Sequence, residues 1–491
     1  MKEQLTLLSL IIKHKGKILL DIKFNNEAKS NRDTIFTSVI IGTNGEGKSF
    51  ILSSIANVFK IVEAYINNKE IQPRYDFYSI EFAKNKDIYK INIDKKIITF
   101  YCNDVKKDNI NTSITVLAAS YIPNDKFPYK DDNSSEKISI YEYIGIRQTS
   151  NATFINSISK KISNAIIENI DDKNFIDTLK SCIEFLNMQP TVKLLFEPTL
   201  KTLFRRGISK DSLRKRLSNL KKTNSMSAYK AANTNEEELK DIISFIKWIR
   251  DTQSYVLAQE RDALEFEIDF DNQTSSNLLK QIKLIRKMSD LKLLEAPRLI
   301  LCKNEKSFDF EHCSSGEKQI LFITTLIASK IKYDSLVLID EPEISLHANW
   351  QMQYINYIKT IFSKYKGAHF ILASHSHYII SDLQKDTSSI IRLEKDVMKD
   401  TIEGNIIEHD TYAWSAENIL YNIFNVRTTR NYYFELELKE LVSIVQNKLS
   451  DLERLSFLIN KMARYIYDEN DPLAFIINEA KEYEHYVKTN K

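Results

Sequence analysis

The stretch FTSVIIGTNGEGKSFILSSIANVFKIV (Phe36–Val62) decides the fold. Its first six residues suit a strand buried on both faces of a parallel sheet. Phe50, Ile51, Ile55, Val58, Phe59 and Val62 then recur at helical spacing. Between the two runs Gly42-Thr43-Asn44-Gly45-Glu46-Gly47-Lys48-Ser49. Strand, glycine-rich loop, Lys-Ser and helix is the context of a phosphate-wrapping loop. The glycines let backbone N–H groups point inward, and the helix adds its positive end. Lys48 would reach the β- and γ-phosphates, and Ser49 would hold Mg2+ through its hydroxyl.

A second stretch, LVLIDEPEISLHANW (Leu336–Trp350), opens with four apolar residues and ends them in Asp340-Glu341-Pro342. Two carboxylates at the end of a buried strand are costly unless a cation sits there. Asp340 would bind Mg2+, and Glu341 would orient and deprotonate an attacking water. The bland alternative is an acid pair complementing a helix dipole. Phe370–Ala373 (FILA) is a further buried strand, followed by Ser374-His375-Ser376-His377. That position lets His375 touch a γ-phosphate or the attacking water, although a lone histidine fills many structural roles. Ser314-Ser315-Gly316-Glu317-Lys318-Gln319 starts a helix, so its N–H groups and a serine hydroxyl can grip an anion or simply cap the helix.

At 491 residues the chain exceeds one core, and 43% hydrophobic with 27% charged residues is an ordinary globular balance. No apolar run approaches the roughly 18 residues that cross a membrane. Cys102, Cys182, Cys302 and Cys313 show no metal-ligand or disulfide spacing, which suggests a reducing, cytoplasmic setting. The net charge of +3 hides a segment, Lys201–Lys222, that carries +8 and leaves −5 for the remainder.

Leu5–Ile12 and Ile18–Phe24 read as strands, and residues 75–102 alternate with period two as a small antiparallel meander. Val116–Ile122 is another buried strand. From about Asp131 to Glu295 amphipathic helices dominate, with one strand at Thr191–Phe196. Leu299–Cys302 and Ser307–Phe310 read as short strands, and Ser389–Leu393 as the last strand of the sheet. Beyond Tyr412 the pattern is helical. Leu438, Val445, Leu452 and Ile459 are spaced by seven beside Leu441, Lys448, Leu455 and Met462, an imperfect heptad.

The phosphate loop, SSGEKQ, LVLIDEP and ASHS, in that order, resemble the Walker A, signature, Walker B and H-loop of an ABC-type ATPase. IDEPEISLHANWQ is similar to the branch holding OLD-family and SMC-like ATPases. The resemblance implies an α/β fold: a P-loop ATPase domain with a mixed sheet and antiparallel meander (residues 1–130 and 296–425), a helical insertion (131–295) and a helical C-terminal region (426–491). It implies ATP and Mg2+ as ligands. Gly42–Ser49 of one chain would hold ATP, and Ser314, Ser315, Gly316 and Glu317 of another would close over it in a head-to-tail dimer or larger homo-oligomer. The Q-loop glutamine of the family is not evident. Asn124, after the Val116–Ile122 strand, stands in about its place and would be a further metal contact. His347 occupies the D-loop aspartate position.

No Asp-x-Asp at a strand end follows His377, so a Toprim nuclease inside this chain is not expected, nor is an HNH nuclease. The layout resembles ATPase subunits of bacterial phage-defence systems: the PtuA subunit of Septu, retron-associated ATPases, and the ATPase of PARIS. In those families the partner is a separate nuclease, HNH-type or Toprim-type. A DNA repair or chromosome-maintenance ATPase of RecF or SMC type is the alternative. The nine basic residues of Lys201–Lys222 can neutralise DNA or RNA phosphates or form a solvated helix face. Aromatic residues to stack on bases are scarce there. The heptad tail is either core packing or a partner interface.

Overall fold

The computed structural model describes residues 4–26, 33–43, 45–109, 114–130, 138–147, 156–222, 231–252, 256–258, 261–271, 276–396, 401–407, 409–424, 431–447, 451–465 and 472–489. They form two compact units, Met1–Trp414 and Ser415–Lys491.

The first strands of the first unit are β1 (Leu5–His14), β2 (Lys17–Lys23), β3 (Phe36–Ile41), a meander of β4 (Phe77–Lys84), β5 (Asp87–Asp94), β6 (Ile97–Cys102) and β7 (Val105–Lys107), then β8 (Thr115–Ser120) and β9 (Tyr141–Gly145). The middle of the chain adds β10 (Thr191–Phe196), β11 (Val256–Ala258), β12 (Arg261–Asp269), β13 (Arg298–Lys303) and β14 (Lys306–Asp309). The last four are β15 (Ser335–Asp340), β16 (His369–Ser374), β17 (Ser388–Asp396) and β18 (Thr401–Ile407).

Thirteen of these make one mixed sheet, in the order β7-β6-β5-β4-β1-β2-β18-β17-β3-β16-β15-β8-β9. From β17 to β9 all neighbours are parallel. β3, β8, β15 and β16 are buried at every position, the physical reason their sequences run apolar without alternation. The meander side is antiparallel, and there the period of two survives.

Helix α1 (Lys48–Ile66) follows the phosphate loop and buries Ile51, Leu52, Ile55, Val58, Phe59 and Val62. They share one core with Leu338 and Ile371 of the parallel strands and Ile80, Phe82 and Ile93 of the meander. Among the described residues α1 is the one helix long and apolar enough to cross a membrane, and its apolar side chains are spent on this core.

Two features differ from the sequence expectation. β18 follows β17 and lies between it and β2, so Ser389–Leu393 is not the end of the sheet. Its sequence, TIEGNII, holds an acid and a glycine and reads poorly as a strand. At Gly404 a Cβ would lie 2.7 Å from Ile22 Cδ1, so close strand approach favours glycine there. The insertion, besides its helices, carries β10, β11 and β12, which form a five-stranded antiparallel sheet with β13 and β14 in the order β11-β12-β10-β13-β14. The strands at Leu299–Cys302 and Ser307–Phe310 join that sheet instead of the large one. β12 is legible in retrospect: Leu264, Phe266 and Ile268 are buried while Glu265 and Glu267 are exposed.

The insertion helices are α2 (Asn156–Asn169), α3 (Lys173–Phe185), α4 (Leu203–Arg206), α5 (Lys210–Lys221), α6 (Glu236–Asp251) and α7 (Ser276–Asp290). α8 (Ser315–Lys330) and α9 (Ala348–Ile361) flank β15 in sequence, and α2 and α3 pack on α8. Where α3, α8 and α9 meet, the Tyr357 hydroxyl lies 3.2 Å from Cys182 Sγ and 2.6 Å from Thr324 Oγ1.

In the second unit, α10 (Ala416–Asn422) precedes α11 (Tyr432–Gln446), α12 (Leu452–Ala463) and α13 (Pro472–Thr489). The heptad is divided between α11 and α12, with Lys448 outside the described residues. Leu441, Leu455, Ile459 and Met462 form this unit's own core with Leu473 and Ile477, so these stripe positions are core packing.

Candidate active site

Register places the site. Asp340 pairs with Ala373 on one side and Ser120 on the other, and Ser374 pairs with Ile41. The C-terminal ends of β3, β16, β15 and β8 therefore form one edge, where open α/β sheets take ligands. Each functional segment leaves its strand at that edge: Gly42 after β3, Glu341 after β15, His375 after β16.

The phosphate loop turns through Gly45 at φ 88° and Gly47 at φ 95°, values that favour glycine. Lys48 Nζ donates to the Gly42 carbonyl (2.6 Å) and the Thr43 carbonyl (3.1 Å), and sits 3.0 Å from His375 Nδ1. Burial lowers its pKa, while Glu46, Glu341, Glu343 and Asp340 pull it back up. The Glu46 carboxylate accepts from the Thr43 N–H (2.5 Å) and hydroxyl (2.7 Å). Asn44 lies outside the described residues. The Ser49 hydroxyl donates to Asp340 Oδ1 at 3.0 Å, joining two residues that the sequence separates by 291 positions. Asp340 is only 4% exposed, and burial pushes its carboxyl up to about 7 against the Ser49 hydrogen bond.

The Lys48 contact identifies the tautomer of His375. An ammonium can only donate, so Nδ1 accepts and Nε2 carries the hydrogen. Burial, and then the Lys48 charge, lower the histidine pKa and favour this neutral form. Nε2 lies 3.7 Å from Glu341 Oε1. Glu341 itself has φ 48°, although a residue before proline is steered toward extended backbone. The bond from its N–H to the Ala373 carbonyl (2.9 Å) helps hold it there.

Two residues of the site were not singled out from sequence. Glu343 Oε1 accepts the backbone N–H of His375 at 2.5 Å, and burial raises its pKa. No spacing rule marks the second acid of DEPE as different from a surface acid. Asp125 is the other. Its carboxylate receives Arg147 Nη2 (2.6 Å) and the Tyr143 hydroxyl (2.6 Å), and its charge contributes to raising Asp340. Asn124, proposed from sequence as a metal contact, is exposed while its neighbour Asp125 turns inward. A buried acid beside a buried tyrosine three strands' length away is not visible in a linear motif.

Ser314 caps α8 with a reciprocal capping box: its Oγ accepts from Glu317 N–H (3.2 Å), and Glu317 Oε2 accepts from Ser314 N–H (2.9 Å). Ser315 is exposed and Gly316 is buried against the turn after β15, where a Cβ would lie 2.7 Å from the Ser345 carbonyl oxygen. Gln319 Nε2 donates to the Pro342 carbonyl at 2.8 Å. Among the described residues no hydrogen bond joins Ser314–Glu317 to the phosphate loop of the same chain.

The basic segment lies on α4, α5 and their flanks. Leu213 and Leu217 anchor α5, while Lys201, Lys215, Lys221 and Lys222 are exposed. Lys210 and Arg214 pair with Glu236 (2.8 and 2.7 Å), and Arg216 Nη2 donates to the Lys292 carbonyl (2.7 Å).

The residues fit a magnesium nucleotide. Ser49 and Asp340 present a hydroxyl and a buried carboxyl within one hydrogen bond of each other, a pair suited to a hard cation that keeps several waters and phosphate oxygens. Among the described residues no group of three or more His, Cys, Asp or Glu could form an all-protein metal cage.

Comparisons with known proteins place the chain. It is 24% identical over 146 residues to the Septu protein PtuA of Bacillus thuringiensis, covering 27% of this chain and 36% of that protein. It is 35% identical over 100 residues to the Retron Ec83 probable ATPase of Escherichia coli, covering 18% of each. The chain thus spans well under two thirds of the length of these relatives. Solved structures that match include the Smc head domain of Pyrococcus furiosus bound to the C-terminal domain of ScpA (11% identity, 82% of this chain, 96% of that one, TM-score 0.33). The SMC head domain of Thermotoga maritima matches with 11% identity, 82% and 99% coverage, and a TM-score of 0.31. The family model described as AAA ATPase domain (AAA_15) matches residues 18–380, a span that takes in the phosphate loop, β15 and His375, and the chain belongs to that family.

Proposed function

We propose that this chain binds ATP with Mg2+, hydrolyses it, and acts as the ATPase subunit of an anti-phage defence complex whose cutting is done by a separate nuclease. The supporting observation is the convergence at one sheet edge of Lys48, Ser49, Asp340, Glu341 and His375. Lys48 and the loop N–H groups bind the phosphates, and Ser49 with Asp340 hold the metal. Bound Mg2+ supplies charge neutralisation at the phosphates. Glu341 orients and deprotonates water, and His375, donating through Nε2, steadies it. Ser314, Ser315, Gly316 and Glu317 close over the nucleotide of a second chain, so ATP holds a head-to-tail dimer or larger homo-oligomer together. Among the described residues no hydrogen bond ties them to the phosphate loop of their own chain, which accords with a role in trans.

The defence role is supported by the names of the two relatives, a Septu protein and a retron ATPase. An HNH-type nuclease is the favoured partner, with a Toprim-type nuclease as the variant, and exposed lysines of Lys201–Lys222 contact DNA or RNA. The test is co-expression of the full chain with candidate nucleases, followed by mass measurement of the complex. Nuclease assays then use ATP and a non-hydrolysable analogue. A stable complex whose cutting depends on nucleotide state is the expected result. ATP turnover with no nuclease bound, and DNA bound at the dimer face, would favour a repair or chromosome-maintenance ATPase instead.

A further inference from the structure

We propose that Glu343 is a positioning residue of the ATPase site, setting the place of His375 and, through it, of Glu341 and Lys48. This rests on the ATPase reading above. Nothing in the family resemblance or the motifs assigns a role to this residue.

Glu343 and Glu341 flank Pro342 in one turn, and that turn is tied to the segment around His375 from two sides. Glu343 Oε1 accepts the His375 N–H at 2.5 Å. On the far side of the histidine, the Ser376 hydroxyl donates to Gln351 Oε1 at 2.6 Å. Gln351 Nε2 returns to the turn through the Leu346 carbonyl at 2.9 Å. The backbone of His375 is therefore clamped from both sides to the segment that carries Glu341. Its imidazole spans 3.0 Å to Lys48 and 3.7 Å to Glu341, so a small backbone shift alters both contacts.

The chemistry of Glu343 argues against a role in stability alone. Its second oxygen, Oε2, is buried with no hydrogen-bond partner. Among the described ion pairs none joins it to Lys or Arg. A buried carboxylate without a cation costs free energy that a well-packed apolar residue would not. A tether to one backbone N–H returns a part of that cost. The remainder is accounted for if the bond holds a catalytic geometry, since sites keep strained or costly groups where position matters.

The test is steady-state ATP hydrolysis and equilibrium binding of a fluorescent ATP analogue by the full chain, with thermal melting as a fold control. E343A should lower kcat about tenfold or more while analogue affinity stays within about twofold, the signature of an interaction used in the transition state. E343Q keeps the accepting oxygen and should recover to within about threefold of the native rate. E343D keeps the charge but shortens the reach, and should behave as E343A does. It serves in place of E343A should that variant fail to fold. If Glu343 acts through His375, the pair E343A/H375A should be no slower than H375A alone. The proposal is overturned if E343D turns over at the native rate, or if the double variant shows the product of the two single losses. A KM that rises in step with the fall in kcat overturns it too. A native chain that binds the analogue without turnover would overturn the ATPase reading and this inference together. Native turnover with an indifferent E343D overturns this inference alone.

Discussion

On the exposed face of the insertion sheet, charge is met by charge. Lys193 lies 3.1 Å from Glu265 and 3.3 Å from Glu267, and Arg298 lies 2.7 Å from Asp309 and 3.4 Å from Glu197. The same holds beside it, where Lys210 and Arg214 share Glu236. At the edge of the parallel strands the pattern reverses. Asp340 and Glu343 are pushed up by burial, Lys48 is pushed down, and among the described residues none of Asp340, Glu341 and Glu343 pairs with Lys or Arg. Exposed pairs cost little and contribute little, median values being about 0–1 kcal/mol. Uncompensated buried charges are expensive and are kept where a ligand completes them. By this criterion the first region reads as scaffold and the second as the candidate site.

The largest expected effect falls on the uncompensated edge. K48A should reduce ATP binding by about two orders of magnitude or more, since it removes the ammonium proposed to bind the phosphates; isothermal titration measures this. E341Q should lower kcat by about 10²–10⁴-fold with binding preserved, read by single-turnover hydrolysis against analogue affinity. If E341Q left turnover unchanged, the edge would be a binding site without chemistry.

Smaller effects are expected on the paired side. The triple variant K215Q/K221Q/K222Q should flatten the salt dependence of oligonucleotide binding by about 2–3 in log–log slope, with turnover measured without oligonucleotide unchanged. An unchanged slope would return these lysines to the solvated scaffold. The smallest effect is in pH, and the two regions should have opposite signs. Asp340, at about 7 folded against 3.8 unfolded, holds a proton that the unfolded chain has lost, so its contribution to stability falls as pH rises through that window. Glu236, lowered from 4.5 to about 2 by Lys210 and Arg214, contributes stability above the unfolded value that is lost as pH falls toward the folded one. Melting temperatures of D340N and E236Q across pH, against the native chain, read the two terms separately.

Much of this was legible in the sequence because the decisive residues are consecutive. A buried strand followed at once by Gly42–Ser49, and another by Asp340-Glu341, need only local order to be recognised. The parts that were not legible depend on distance. β18 becomes a strand because Gly404 fits against Ile22, a neighbour nearly four hundred residues away. Glu343 looks like any surface acid until β16 brings the His375 N–H to it. Asn124 and Asp125 cannot be ranked without Arg147 and Tyr143, which turn the second of them inward. The insertion reads as helical since its helices are long and amphipathic, whereas its strands are scattered between them and half solvated.

The place of β3 in the sheet bears on how the chain is made. Both its neighbours, β16 and β17, lie far toward the C-terminus, so about 350 residues separate the end of β3 from the end of β17. At a synthesis rate of about 5–20 residues per second, the phosphate loop waits roughly twenty seconds to a minute on the ribosome before its strand has partners. During that time Phe36–Ile41 is an unpaired apolar edge strand. Such a strand invites chaperone binding or association with another nascent chain. A nucleotide pocket assembled from both ends of the unit therefore also reports how far translation has gone: no product that stops short of His375 can present it.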